Sequence, residues 1–211
     1  MGNNKTPKVK LKKRIINHLI QAVLIFASVF VAFWLTDLRE NKKTKNTVNM
    51  ALTNVASEMS INHTRIESAY DYYIRIIKQI DSIKTNQPEK FDKLYGYNIK
   101  GWQGVQPTML RSSAYQTLLN SGVMKDIPFE VLKSLDFIYH VQSVVEQINK
   151  SLIEEAVTDR GFTSLSKAHH IFILYTDILP DVMSSYQQQG RKHLESYGYT
   201  NTLKDERLKR W

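Results

Sequence analysis

Residues 48–83 read VNMALTNVASEMSINHTRIESAYDYYIRIIKQIDSI, and this stretch decides the fold. Its apolar side chains recur every three or four residues, and ten of the eleven positions on this line are apolar: Val48, Leu52, Val55, Met59, Asn62, Ile66, Ala69, Tyr73, Ile76, Ile80 and Ile83. A proline-free line of this length predicts one long helix. Ala56, Tyr70 and Ile77 widen the stripe, which favours a bundle over a two-stranded coiled coil. Asn62 either sets the register of an oligomer or lies at the edge of the core.

Residues 15–36, IINHLIQAVLIFASVFVAFWLT, precede this helix and carry no charge. A helix of these 22 residues is about 33 Å long, enough to cross a hydrocarbon layer of about 30 Å. The competing interpretation is a cleaved signal peptide, which needs small residues before the cleavage site. Phe26 and Phe30 are bulky where such residues are required. We therefore expect an uncleaved transmembrane helix that continues into the bundle.

The net charge of +9 is concentrated around this apolar segment. Residues 1–45 contain ten basic and two acidic residues, whereas residues 46–211 contain 19 basic and 18 acidic residues. Because residues 46–211 are nearly neutral, a nucleic-acid partner is disfavoured. The positive charge around the apolar segment indicates the lipid bilayer as a partner instead. The residues expected at the two membrane surfaces are Lys12, Lys13, Arg14, Trp34, Arg39, Lys42 and Lys43.

The charge bias across the apolar segment predicts its orientation. Six basic residues precede it, while four basic and two acidic residues follow it. The positive-inside rule places residues 1–14 in the cytoplasm as a basic tail. The C-terminal domain then lies in the periplasm, and the chain lies in a bacterial inner membrane.

Four residues of the apolar segment share one helical side: Asn17, Gln21, Ser28 and Ala32. Ser28 and Ala32 form a small-xxx-small pair, which predicts a helix–helix contact inside the membrane. The alternative is that Asn17 and Gln21 lie among the headgroups and that Ser28 bonds its own backbone.

Residues 84–107 contain two prolines and three glycines and predict a long connection. Its rings, Phe91, Tyr95, Tyr97 and Trp102, either contact a partner or close over the end of the bundle. Beyond it, a helix is expected over residues 108–121, with Gly122 as its C-terminal stop.

Two further long helices are expected. The first opens at Pro128 and ends near Arg160 and Gly161; the second starts at Ser164 and is bent or restarted at Pro180. The prediction is an all-α protein: a transmembrane helix followed by a mainly antiparallel bundle (residues 37–198) with four principal helices, and a polar tail (residues 199–211).

The chain carries no recognisable catalytic motif. It has no cysteine, no Glu-x-x-His pair and no Gly-x-Ser-x-Gly nucleophile. His63 with Glu67 and Asp136 with His140 lie one helical turn apart, but metal sites in bundles need several converging ligands. We therefore expect no catalytic residue, no metal and no cofactor.

A short pattern in the third quarter of the chain carries a family resemblance: Ala114, Tyr115, Leu118, Ser121, Gly122 and Ile127. With the span ending near Trp34, it resembles a family of small uncharacterised bacterial single-span membrane proteins with a helical extracytoplasmic domain. The resemblance implies membrane attachment and a bundle fold but no activity. For the pattern residues we expect packing roles.

Two classes of function follow from these observations. The first is a membrane-anchored helical bundle that acts by protein–protein interaction, as an accessory subunit of a bacterial envelope complex or as a homo-oligomer. The second is an extracytoplasmic sensory bundle that binds a small ligand, of unknown identity, and signals through a partner.

Overall fold

The computed structural model describes residues 8–92, 99–158 and 164–199. Five α-helices form in these ranges: α1 (Lys8–Asn86), α2 (Pro88–Phe91), α3 (Ser113–Asn120), α4 (Phe129–Thr158) and α5 (Leu165–Leu194). Short 3-10 turns follow α3 and α5. No strand occurs in the part of the chain described, so the predicted all-α fold is confirmed. The chain divides into two compact units, residues 1–47 and 48–211.

The first unit contains an apolar helical segment whose side chains pack against nothing. The large apolar residues between Ile15 and Leu38 are each 46–77% exposed, with Leu35 and Phe26 at the two extremes. This part of α1 is long and apolar enough to cross a membrane.

In the second unit, the apolar line of residues 48–83 forms one wall of the core. Leu52, Met59, Ile66 and Ile76 are fully buried, which confirms the heptad reading. Asn62 is also fully buried, so it lies neither at the edge of the core nor on an oligomer seam.

The helix α4 runs parallel to α1. Glu58 of α1 contacts Tyr139 of α4, and one turn later Asn62 contacts Gln142, so the residue numbers increase together along both helices. Two parallel neighbours cannot be joined by a short turn, because the chain must first return to the starting end. The connection between α1 and α4 is long for this reason.

The helix α5 runs antiparallel to its neighbours. Tyr175 bonds Asn149 of α4, and Tyr186 bonds Gln142, so the numbers run in opposite directions. Ser164 caps α5 by accepting the backbone N–H of Lys167 (3.2 Å). The predicted restart at Pro180 is wrong, because α5 continues through this residue. The alternative, a bend at Pro180, stays a prediction.

The return between α1 and α4 is made by an extended segment, residues 99–112, which we call the strap. The helix expected over residues 108–121 begins only at Ser113. Two of the rings in this connection lie against α5. The ring centroid of Trp102, in the strap, is 5.5 Å from that of Phe172, and the ring centroid of Phe91, in α2, is 5.9 Å from that of His169. Tyr95 and Tyr97 lie outside the described residues.

Past α5, the chain folds back onto that helix. Tyr199 is 4% exposed, and a Cβ added at Gly190 would lie 2.6 Å from its ring carbons. Tyr199 is thus a core residue, although the polar tail was expected to begin with it. The other residues of that predicted tail, 200–211, lie outside the described ranges, as do Arg160 and Gly161.

We predict that Gly190→Ala destabilises the bundle by about 1–3 kcal/mol, because the new methyl group overpacks the Tyr199 ring. At an open helix position the same change would stabilise by about 0.5–1 kcal/mol. Urea unfolding of the chain in detergent, followed by circular dichroism, measures the effect. In a Tyr199→Ala background the sign should reverse. Stabilisation in both backgrounds would disprove the contact.

Candidate functional site

The strap is attached to α1 by a line of polar side chains, of which the sequence pattern singled out only Asn62. Glu58, Asn62, Arg65, Tyr72 and Gln79 recur at spacings of four, three, seven and seven residues; Asn62 lies on the apolar line and the other four lie beside it. All five bond the strap or the start of α3. Hydrogen-bonding side chains at heptad spacing were the available signal, but their spacing could not name their partners.

The first half of the strap is bonded by an amide and two phenols. Gln79 Nε2 donates to the Lys100 carbonyl (3.0 Å), and its Oε1 accepts the Lys100 N–H (2.8 Å). Tyr72 donates to the Gly104 carbonyl (2.7 Å), and Tyr73 donates to the Gln106 carbonyl (2.7 Å). The hydroxyl oxygen of Tyr72 also accepts the Gln103 N–H, and that of Tyr73 accepts the Gln106 N–H, both at 3.0 Å.

In the middle of the strap, Thr108 is bonded by the two other long helices. Its N–H donates to Tyr175 Oη of α5 (3.0 Å), and its carbonyl accepts from Asn149 Nδ2 of α4 (2.8 Å). Tyr175 in turn donates to Asn149 Oδ1 (2.5 Å). The strap therefore ties α4 to α5 as well as covering α1.

At Arg111 the buried Asn62 side chain bonds both backbone groups. Asn62 Nδ2 donates to the Arg111 carbonyl (2.7 Å), and Asn62 Oδ1 accepts the Arg111 N–H (2.8 Å). Gln142 Nε2 donates to the same carbonyl (3.0 Å), while Gln142 Oε1 accepts from Tyr186. This buried network contacts all three long helices.

Beyond the strap, Glu58 caps the N-terminus of α3 from a different helix. Its carboxylate accepts from Ser113 Oγ (3.0 Å), Ala114 N (2.8 Å), Tyr115 N (3.4 Å) and Tyr139 Oη (2.7 Å). The positive end of the α3 dipole favours this negative charge. Burial, together with the bond to Glu58, raises the pKa of the Tyr139 hydroxyl above its usual value, which keeps it a donor.

The family-like pattern surrounds this carboxylate. Tyr115 stacks on Tyr139 with ring centroids 4.0 Å apart and an interplanar angle of 4°. Leu118 and Ile127 are buried, and Ala114 is half-buried. Ser121 Oγ donates to the Leu118 carbonyl (2.7 Å).

Gly122 follows at φ +74°, in the left-handed region that ends a helix. The pattern residues thus form the short α3 corner and its exit turn.

Two grooves run beside the strap. One, of about 540 Å³, lies between α1 and the strap and is lined by Arg65, Arg75, Gln103 and Gln106 among others; we call it the strap groove. The other, of about 610 Å³, lies between the strap and α4, and its lining includes the exposed residues Met109 and Ile153.

A third groove, of about 930 Å³, is lined entirely by residues 176–192 of α5.

The residues predicted to face the membrane are placed as follows. Arg14, Trp34, Arg39, Lys42 and Lys43 are exposed. Lys12 and Lys13 fall within α1, but their side chains lie outside those described.

The polar side of the apolar segment is exposed along its whole length: Asn17, Gln21, Ser28 and Ala32. Ser28 Oγ donates to the Leu24 carbonyl (2.7 Å), so this hydroxyl is satisfied within its own helix. The intramembrane helix contact stays a prediction.

The histidines form no metal centre within residues 8–92, 99–158 and 164–199, where no three His, Asp or Glu side chains converge. His169 Nε2 lies 2.7 Å from Asp81 Oδ1 and joins α5 to α1. His63 is 1% exposed and its Nε2 is without a hydrogen-bond partner. Burial lowers the pKa of His63 to about 4.

Comparison with known proteins gives no matching family model, no matching curated protein and no matching solved structure. The family resemblance of the α3 corner therefore stays a prediction.

We predict that Glu58→Gln lowers the free energy of unfolding by about 2 kcal/mol, because hydrogen bonds to a charged acceptor are lost at a helix N-terminus. Tyr139→Phe removes one of the four donors and should cost about 1 kcal/mol. Denaturant unfolding measures both. Asp136→Asn is the control, since Asp136 is exposed within α4, beyond its first turn. An equal effect of Glu58→Gln and Asp136→Asn would refute the capping role.

We also predict that the bundle loses stability as pH falls from about 6.5 to about 4. The upper limit is the ordinary pKa of histidine, and the lower limit is the pKa of His63 in the folded chain. The unfolded chain binds this proton more readily than the folded chain, so acid favours unfolding, by about 3 kcal/mol in total. Denaturant midpoints across this range should fall less for His63→Gln than for the native chain. His140→Gln, which alters an exposed ring, serves as the control. Identical pH profiles for the native chain and His63→Gln would contradict the assignment.

Proposed function

We propose that this chain is a single-span membrane protein of the bacterial inner membrane whose helical bundle works by protein–protein interaction. Its N-terminus lies in the cytoplasm and its bundle in the periplasm, where it serves as an accessory subunit of an envelope complex. It is not an enzyme and needs no cofactor.

The observation that carries the membrane assignment is the exposed apolar segment of α1. Phe26, Phe30 and Phe33 each expose more than two thirds of their surface, which is costly in water and favourable in lipid. Basic residues flank the segment on both sides, with the larger excess before it.

The interaction role is supported by the groove between the strap and α4. Met109 is 66% exposed and Ile153 is 42% exposed, and both line this groove together with Leu110, Glu146 and Lys150. An apolar floor with charged residues around it is the usual form of a protein-docking surface. By contrast, the large side chains Tyr73, Tyr175 and Phe172 fill the interior between the long helices.

We predict that the chain co-purifies with a defined envelope protein in mild detergent and that Met109→Lys with Ile153→Lys abolishes this association. A lysine on the apolar floor removes buried apolar area and adds a desolvation cost. Ile173→Lys with Leu174→Lys is the matched control, because it places the same charges on exposed positions of α5. A native chain that purifies without any partner would refute the interaction role.

Topology is checked with tags on the two termini. In intact spheroplasts, external protease should remove the C-terminal tag and spare the N-terminal tag. A protected C-terminal tag would overturn the proposed orientation without affecting the interaction result.

A further inference from the structure

Two arginines of α1 line the strap groove and are already held in place. Arg65 Nη1 donates to the Met109 carbonyl (2.6 Å), and the Arg75 guanidinium carbon lies 5.9 Å from the Tyr72 ring centroid. Among the described residues, neither guanidinium has a carboxylate within 4.0 Å. A guanidinium has five N–H donors, so most of those on Arg65 remain for a ligand.

The rest of the groove lining contains no acid and combines polar side chains with apolar ones, among them Ala69, Pro107 and Met109. Thr64 and Ser68 contribute hydroxyl-bearing side chains, and Gln103 and Gln106 contribute amides from the strap. Amides both donate and accept hydrogen bonds, as a peptide backbone does. The lining therefore suits an anionic ligand that carries backbone-like polar groups.

The spacing of the two arginines along α1 sets the length of the ligand. Arg65 and Arg75 are ten residues apart on one helix, which corresponds to about 15 Å along its axis. An extended peptide covers that distance with about four or five residues. A single phosphate or carboxylate is too small to contact both guanidinium groups.

The charge of the domain decides between classes of polyanion. Residues 46–211 carry nearly equal numbers of basic and acidic residues, which disfavours nucleic acid because its backbone needs a dense row of cations. We propose that the strap groove binds an extended acidic segment of a partner protein, with two acidic side chains about four residues apart. This inference rests on the proposed interaction function and names the chemistry of the partner.

The experiment uses the full chain in a non-ionic detergent and a fluorescein-labelled peptide with two glutamates four residues apart among serines. Fluorescence anisotropy should show binding that weakens between about 50 and 150 mM salt. Arg65→Glu with Arg75→Glu should weaken binding by about tenfold or more. Arg65→Gln with Arg75→Gln provides a second, milder variant, and circular dichroism checks that each variant folds.

The matched control is Lys125→Glu with Lys133→Glu, which makes the same charge change at exposed positions outside the groove. It should alter the affinity by less than about twofold. The assignment would be overturned by equal losses in both double variants or by no measurable binding of the peptide to the native chain. Full competition by inorganic phosphate or by single-stranded DNA at the peptide concentration would also overturn it.

The two proposals fail in different ways. If the Arg65→Glu, Arg75→Glu chain still co-purifies with its envelope partner, the groove assignment is wrong and the interaction function stands. If the native chain has no partner but binds the peptide through both arginines, the groove does bind acidic peptides, but the interaction function is wrong and the assignment to a partner's segment falls with it.

Discussion

The bundle depends on one constraint: the backbone of an extended segment that lies against three helices must find hydrogen-bond partners other than a neighbouring strand. Unpaired backbone groups removed from water cost about as much as a lost hydrogen bond. Here the partners are side chains, with Gln79, Tyr72 and Tyr73 at the start of the strap, Asn149 and Tyr175 in its middle, and Asn62 at its end. The strap can therefore lie where a fourth long helix would lie in an ordinary bundle.

This arrangement explains why the core of a helical protein is rich in tyrosine and amide side chains. Tyr73, Tyr175 and Tyr186 are almost fully buried, and each combines a large apolar ring with one polar atom that reaches a partner. Buried polar networks of this kind penalise alternative pairings, because any shift leaves several groups unsatisfied. The parallel pairing of α1 with α4 is specified by such contacts. It also creates the two grooves beside the strap, to which the proposed interactions are assigned.

The predictability of the structure differed from element to element. The apolar line from Val48 to Ile83 and the left-handed stop at Gly122 follow from local patterns, and both are present. The helix expected from Thr108 failed, because Thr108, Met109 and Arg111 bond to side chains 31–67 positions away in sequence instead of to their own helical turn. Glu58 was overlooked for a similar reason. A carboxylate next to the apolar line is expected to be solvent-exposed, and only the tertiary structure places the N-terminus of another helix against it.

The sequence by itself determined the helical class, the apolar segment of residues 15–36 and the charge imbalance around it, because spacing, length and charge are local properties of the chain. It also determined most of the apolar positions at which α1 enters the core. Only the tertiary structure decided that Asn62 is fully buried, that Glu58 caps α3 and that Arg65 and Arg75 share a groove. Those features arise where segments distant in sequence meet, and the partner of a polar side chain is fixed by that meeting and not by its spacing.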